Sequence, residues 1–374
     1  MKLGIVCDYL EEGWISMDIC GQMLVDRVAS LADIDIQPVQ IRPPFRWRFK
    51  AGEKYLPKYF TIHRFINRFI DYPRYLKTHS QDCDFYHVVD HSYAHLLHYL
   101  PARKTGVYCN DLDAFQSILE PEKYPRSWAF RQMSQHILTG MQTAAIVFCP
   151  TGEIRRQIEY YHLFDPTRII TVPPGVSVEY HDRPLPPDRT VTALLERLEG
   201  KPFILHVGSC IPRKRIDVLL ATLAKLRAEL PELHLVKVGG EWSNAQQQQI
   251  NDLDLKDAIV HLTNLPNTTI AILYQQARIV LMTSEAEGFG MPVSEALSCG
   301  AIVLASDIPV LREVGGDAVI YSPVGDIDTW AANCLQAITN PDFVPSRDRR
   351  LAIASRYTWD HYARTIASTY QRLS

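Results

Sequence analysis

Short apolar runs of strand character recur along this chain, each followed by a stretch of helical patterning, and this alternation constrains the fold more than any other feature. Leu3–Cys7, Phe85–Val89, Gly106–Cys109, Ala144–Cys149 and Ile169–Val172 form a first series, with helices expected at Met17–Leu31, Ala129–Thr139 and Gly152–Tyr161. A second series runs through Phe203–Val207, Leu233–Val238, Ala258–Leu262, Ile279–Thr283, Ala301–Ser306 and Ala318–Tyr321, with helices expected at Ile216–Ala228, Asn267–Gln276, Pro292–Cys299 and Thr329–Thr339. Strands alternating with helices imply βαβ units and a parallel sheet. The fold class is therefore α/β with two Rossmann-like domains. A length of 374 residues agrees, since single cores stop growing at about 250–300 residues. The proline cluster Arg183-Pro184-Leu185-Pro186-Pro187-Asp188 places a linker at 183–202, between domains at 1–182 and 203–356.

Composition removes several classes of function. The net charge of -3 gives no global field to attract a polyanion, so nucleic acid is not an expected partner. The eight cysteines are scattered without a C-x-x-C pair or the histidine spacing of a zinc site, which suits a reduced, cytoplasmic protein with buried thiols. The N-terminus enters a strand pattern without the features of a secretion signal, and no apolar run reaches the ~18 residues that span a bilayer. Asp111-Leu112-Asp113 is the one D-x-D triplet just after an expected strand. So short a pattern arises often by chance, and no metal or other cofactor is expected.

The chemistry concentrates in Glu287-Gly288-Phe289-Gly290-Met291-Pro292-Val293-Ser294-Glu295, which follows an expected strand and opens a helix. Glycines let backbone amides approach a ligand, and Pro292 suits a first helical turn. The free N–H groups and positive partial charge of that helix end favour a phosphate or a sugar oxygen. On one continuous helix the two glutamates would stand roughly 12 Å apart along the axis, so they address different parts of an extended ligand. A second loop, His206-Val207-Gly208-Ser209-Cys210-Ile211-Pro212-Arg213-Lys214-Arg215, leaves the first strand of the second series. Cations there can neutralise a diphosphate and the charge that grows as a sugar–phosphate bond breaks.

The stretch EGFGMPVSEALSCGAIVLASDIPVLREVGGDAVIY resembles the retaining glycosyltransferases of family 4, whose pattern is two glutamates separated by seven residues around a G-F-G-x-P loop. The resemblance implies the GT-B fold, two Rossmann-like domains facing across a cleft, with a nucleotide sugar held by the second domain and a carbohydrate or lipid-linked acceptor by the first. It implies that Glu287 contacts the transferred sugar, that Glu295 contacts the ribose, and that amides around Phe289, Gly290 and Met291 serve sugar and phosphate. Lys214 and Arg213, beside Gly208 and Ser209, take the diphosphate. Many members carry an arginine where Ser209 stands, which leaves Arg213 or Arg215 to supply the missing charge. Gly13, in Glu11-Glu12-Gly13-Trp14, resembles the family's loop against the diphosphate. Members often carry a histidine where Asn110 stands, so His91 becomes the more interesting imidazole, with Asn110 and Asp111 as further acceptor or sugar residues. The aromatic-anchored helix 357–374 resembles one that packs back on the first domain.

The resemblance also implies retention without a bound metal, with the leaving diphosphate helping to take the acceptor proton. A sugar phosphorylase or disaccharide synthase of the same fold, or a non-catalytic nucleotide-sugar-binding subunit, are the rival readings. Finally, 42–77 holds ten Lys or Arg against Glu53 and Asp71, interleaved with aromatic residues. That pattern suits peripheral contact with an anionic membrane surface, or equally an aromatic core with solvated charges.

Overall fold

In the computed structural model, residues 1–48, 50–51, 54–55, 59–79 and 82–374 are described, with the backbone alone at 50, 51, 54 and 55. The chain forms two compact units, Met1–Gly175 with Trp359–Ser374, and Val176–Thr358. The first contains β1 (Lys2–Val6), β2 (Gln37–Ile41), a small antiparallel hairpin of β3 (Lys50–Ala51) and β4 (Lys54–Tyr55), β5 (Phe85–Val88), β6 (Thr105–Tyr108), β7 (Ile146–Cys149) and β8 (Ile169–Thr171). The second contains β9 (Phe203–Val207), β10 (His234–Val238), β11 (Ile259–Leu262), β12 (Ile279–Met282), β13 (Val303–Ser306) and β14 (Ile320–Ser322).

Each unit is built on one six-stranded parallel sheet, ordered β2-β1-β5-β6-β7-β8 in the first and β11-β10-β9-β12-β13-β14 in the second. The central strands are buried along their whole length, as strands covered by helices on both faces must be, which is why they read as unbroken apolar runs. In both sheets the strand order reverses once, between β1 and β5 and between β9 and β12. Loops leaving the carboxyl ends of strands at such a switch point diverge and leave a crevice, the standard ligand position of open α/β sheets.

Two expectations differ from the structure. The unit boundary lies at Gly175–Val176, not in 183–202. There Asp188 caps the helix Arg189–Arg197 by accepting from the Val191 amide at 2.8 Å, and Val191, Leu194 and Leu198 enter the second unit's core. A rigid proline lead-in to a packed helix has the composition of a linker, so composition alone does not separate them. The strand β2 is absent from the expected series because it is a half-exposed edge strand holding Pro38. The terminal helix Trp359–Leu373 belongs to the first unit, where the Tyr370 hydroxyl donates to the Tyr86 carbonyl at 3.0 Å.

Candidate active site

In the second unit, the loops at the switch point bring three expected residues together. The 3-10 turn Pro212–Lys214 follows β9, and Glu287 follows β12. Lys214 Nζ lies 2.5 Å from Glu287 Oε1, and Arg213 Nη1 lies 3.2 Å from Glu287 Oε2. Hydrogen bonds to backbone carbonyls fix the two loops to each other: the Arg213 guanidinium donates to the Ala286 carbonyl at 2.8 Å, the Glu285 amide to the Arg213 carbonyl at 2.8 Å, and the Thr283 hydroxyl to the Lys214 carbonyl at 2.8 Å. Burial works against an ionised Glu287, but Lys214 and then Arg213 outweigh it and hold the carboxyl below its ordinary range. Arg215 turns elsewhere, to Asp217 at 2.8 Å and Glu285 at 3.5 Å. Arg213 is therefore the second cation beside Lys214.

The loop then enters the helix Met291–Ser298 through Gly290, at φ +90°. A Cβ there would meet Leu311 Cδ2 at 2.6 Å, so both conformation and space require glycine. Phe289 is buried with its ring against Tyr357, so its side chain serves the core and only its backbone is available to a ligand. Met291 is half-buried. Glu295, one turn into the helix, is buried and accepts from the Tyr274 hydroxyl at 3.0 Å. Burial pushes its pKa up to about 7, against the opposing hydrogen bond from Tyr274.

Gly208 and Ser209 begin the β9 loop, and the residue that supports them was not expected. Lys237, buried on β10, reaches out along the sheet and donates to the Gly208 carbonyl at 2.7 Å, to the Val238 carbonyl at 3.1 Å and to the Gly239 carbonyl. Burial brings its pKa down to about 8. Its register partner on β9 is His206, also buried, whose imidazole is held neutral by burial and by Lys237 and Lys214. The only sequence signal for this pair is a charged residue and a histidine inside two otherwise apolar strands.

In the first unit, a polar group gathers at the β1/β5 switch point. His91 Nδ1 is 3.2 Å from both Asp90 Oδ1 and the Asn110 amide nitrogen, and Nε2 is 3.6 Å from Asp111 Oδ1. Burial opposes the charged imidazolium, but the Asp90 and Asp111 carboxylates outweigh it and raise the His91 pKa. Asp8, at the end of β1, is buried beside them, and burial together with Asp90 pushes its carboxyl well above the carboxylate range. Gly13 is exposed at φ +71°. Its loop is fastened through Glu12, which accepts from the Tyr93 hydroxyl at 2.7 Å and pairs with Arg64 at 2.9 Å and Arg68 at 3.5 Å. Among the described residues, no group of three or more His, Cys, Asp or Glu is arranged to hold a metal ion.

Residues 193–356 match the family model described as glycosyl transferases group 1. The match lies within the second unit, which is similar to the glycosyl transferases group 1. An O-antigen chain mannosyltransferase B of Escherichia coli is 26% identical to this chain over 282 residues, 74% of this chain and 72% of the relative. A D-inositol 3-phosphate glycosyltransferase of Mycolicibacterium paratuberculosis is 29% identical over 59% of this chain, a match that spans about half (51%) of the relative. The solved structure of Anabaena HepE, in complex with UDP and glucose, superposes with a TM-score of 0.73 at 16% identity and covers 100% of both chains. At that identity the likeness shows the fold alone, two Rossmann-like units of the GT-B type.

Proposed function

We propose that this protein transfers a glycosyl group from a nucleoside-diphosphate sugar to a hydroxyl of a carbohydrate or lipid-linked acceptor, with retention of configuration and without a metal ion. The observation that carries this reading is the Lys214–Arg213–Glu287 cluster at the switch point of the second unit, with Lys214 and Glu287 buried and Arg213 half-buried. Two cations against one carboxylate leave a net positive charge where a diphosphate would lie, and the positive end of the helix Met291–Ser298 adds to it. Because these groups are already fixed by the loop bonds, they need little reorganisation as charge develops on the departing diphosphate. In the step proposed, the bond from the anomeric carbon to the diphosphate oxygen breaks. The acceptor oxygen bonds to that carbon on the same face, and its proton passes to the leaving diphosphate. Glu287 orients the sugar, Glu295 takes the ribose hydroxyls, and His91, Asn110 and Asp111 take the acceptor. The names of the relatives, a mannosyltransferase and an inositol-phosphate glycosyltransferase, support a hydroxyl acceptor of this kind.

Thermal unfolding with a panel of UDP, GDP, ADP and CDP tests the reading. At least one is expected to stabilise the protein by about 2.7 kcal/mol at 100 times its Kd. Response to none of them would overturn it, and response to inorganic phosphate alone would favour a phosphorylase.

A peripheral contact with an anionic membrane belongs to the same proposal. No helix among the described residues is long and apolar enough to cross a membrane. Of the cations in 42–77, Arg42, Arg48, Arg64 and Arg68 pair with Asp18, Asp71 and Glu12, and Lys50 and Lys58 lie outside the described side chains. Trp47 packs on Phe45, Phe60 and His63. The surface that supports contact is therefore narrower, with Trp14, Ile62 and Phe65 exposed around Arg64, whose guanidinium lies 5.7 Å from the Trp14 ring centre. Co-sedimentation with anionic vesicles is expected at low salt and is expected to fall on Trp14→Ala with Phe65→Ala. Absence of binding at low salt would remove this part of the proposal.

A further inference from the structure

The first unit also contains a hollow of about 440 Å³ between the segment Gln116–Tyr124 and the helix Gly152–Tyr160. Its size lies within the roughly 300–1,000 Å³ range of small-ligand sites. The helix presents Glu153, Arg156, Gln157 and Tyr160 to it, and their spacing of i, i+3, i+4 and i+7 places all four on one face. The opposite wall carries Glu120 and Lys123.

These groups are fixed by one another. The Glu153 carboxylate accepts from Arg156 at 2.8 Å and from Gln157 Nε2 at 3.0 Å. Glu120 accepts from the Tyr161 hydroxyl and lies 3.3 Å from Lys123 Nζ. Two carboxylates face two cations, so neither an anion nor a cation gains from the local field. The wall instead mixes donors and acceptors, which suits a ligand whose groups both donate and accept. Tyr160 at the rim is 76% exposed, with its ring edge-on to Tyr161 at 4.9 Å. An exposed ring beside a neutral polar wall matches the two surfaces of a sugar, an apolar C–H face and a rim of hydroxyls. Leu112, which lines the same hollow, follows Asn110 and Asp111 directly, so the hollow adjoins the loop assigned to the acceptor.

We propose that this hollow is a carbohydrate subsite that binds an acceptor saccharide residue distal to the one being glycosylated; it rests on the acceptor reading of the Asn110–Asp111 loop. The ligand class is a neutral oligosaccharide. Saturation-transfer NMR would measure binding of linear trisaccharides of mannose, glucose, galactose and N-acetylglucosamine to the protein and to its Tyr160→Ala and Arg156→Ala variants. Both substituted side chains are largely exposed, so the variants are expected to fold normally. At least one trisaccharide is expected to bind and to weaken about tenfold in Tyr160→Ala, the change that loss of roughly 1.4 kcal/mol produces. The matching monosaccharide is expected to be insensitive to either change. No trisaccharide binding, equal binding in the variants, or displacement by millimolar inorganic phosphate would each overturn the subsite. The nucleotide panel, run on the same samples, keeps the two proposals apart. A protein that responds to a nucleoside diphosphate but to no trisaccharide loses the subsite and keeps the transferase reading, whereas one that responds to no nucleotide loses that reading.

Discussion

Lys214→Ala is expected to lower turnover by a factor of about 100 or more, the range seen when one preorganised donor to a developing charge is removed. Lys214 is placed for this role by being buried, fixed to Glu287 at 2.5 Å and held through its carbonyl by Thr283. The same substitution leaves Glu287 buried, with Arg213 still 3.2 Å away as a cation partner. Removing one member of a buried pair costs up to about 3–5 kcal/mol, so lost turnover must be separated from lost fold. Lys214→Arg keeps the charge and changes the point at which it is delivered. It is expected to retain most of the stability while recovering only part of the turnover. Thermal unfolding and steady-state kinetics on both variants, with saturating nucleotide sugar, read the two effects independently. Near-normal turnover in a folded Lys214→Ala protein would mean that the diphosphate is neutralised elsewhere.

What the sequence made legible follows from which forces are local. Strands such as Phe85–Val88 and Ile279–Met282 are buried on both faces, so each carries its own apolar signal. The conformation of the loop 287–295 is legible for the same reason, since Gly290 and Pro292 have their meaning within one turn of helix. Interactions set by register were not legible. Lys237 meets His206 because β10 pairs with β9, and nothing within either strand announces the other. Tyr274 reaches Glu295 from a different helix. The charge balance of segment 42–77 was not legible locally because Glu12 and Asp18, which pair with Arg64, Arg68 and Arg42, lie outside it. Its local excess of cations is partly cancelled by residues 24–56 positions away.

Glu295→Gln is expected to stabilise the fold while weakening nucleotide binding, and pH separates the two effects. Burial raises the Glu295 pKa to about 7, whereas in the unfolded chain a glutamate titrates near its ordinary value of about 4.3. Between those values the folded protein keeps a proton that the unfolded chain has released. Stability therefore falls as pH rises through this window and levels off above about 7. The full difference corresponds to about 4 kcal/mol as an upper bound. Glutamine is neutral at every pH and can still accept the Tyr274 hydroxyl, so the variant is expected to gain about 1–3 kcal/mol at pH 8 and almost nothing near pH 5. Ribose hydroxyls that donate to Glu295 favour its ionised form. Below pH 7 the wild-type protein must then release a proton to bind, and affinity should fall by up to about tenfold per pH unit. The nucleotide's own phosphate titration is common to both proteins and drops out of their difference. Calorimetric titration of a stabilising nucleoside diphosphate at pH 6, 7 and 8 should thus give a wild-type advantage that grows with pH and flattens above 7. An advantage independent of pH, or a variant no more stable than wild type at pH 8, would mean that Glu295 is not the buried carboxylate on which the ribose depends.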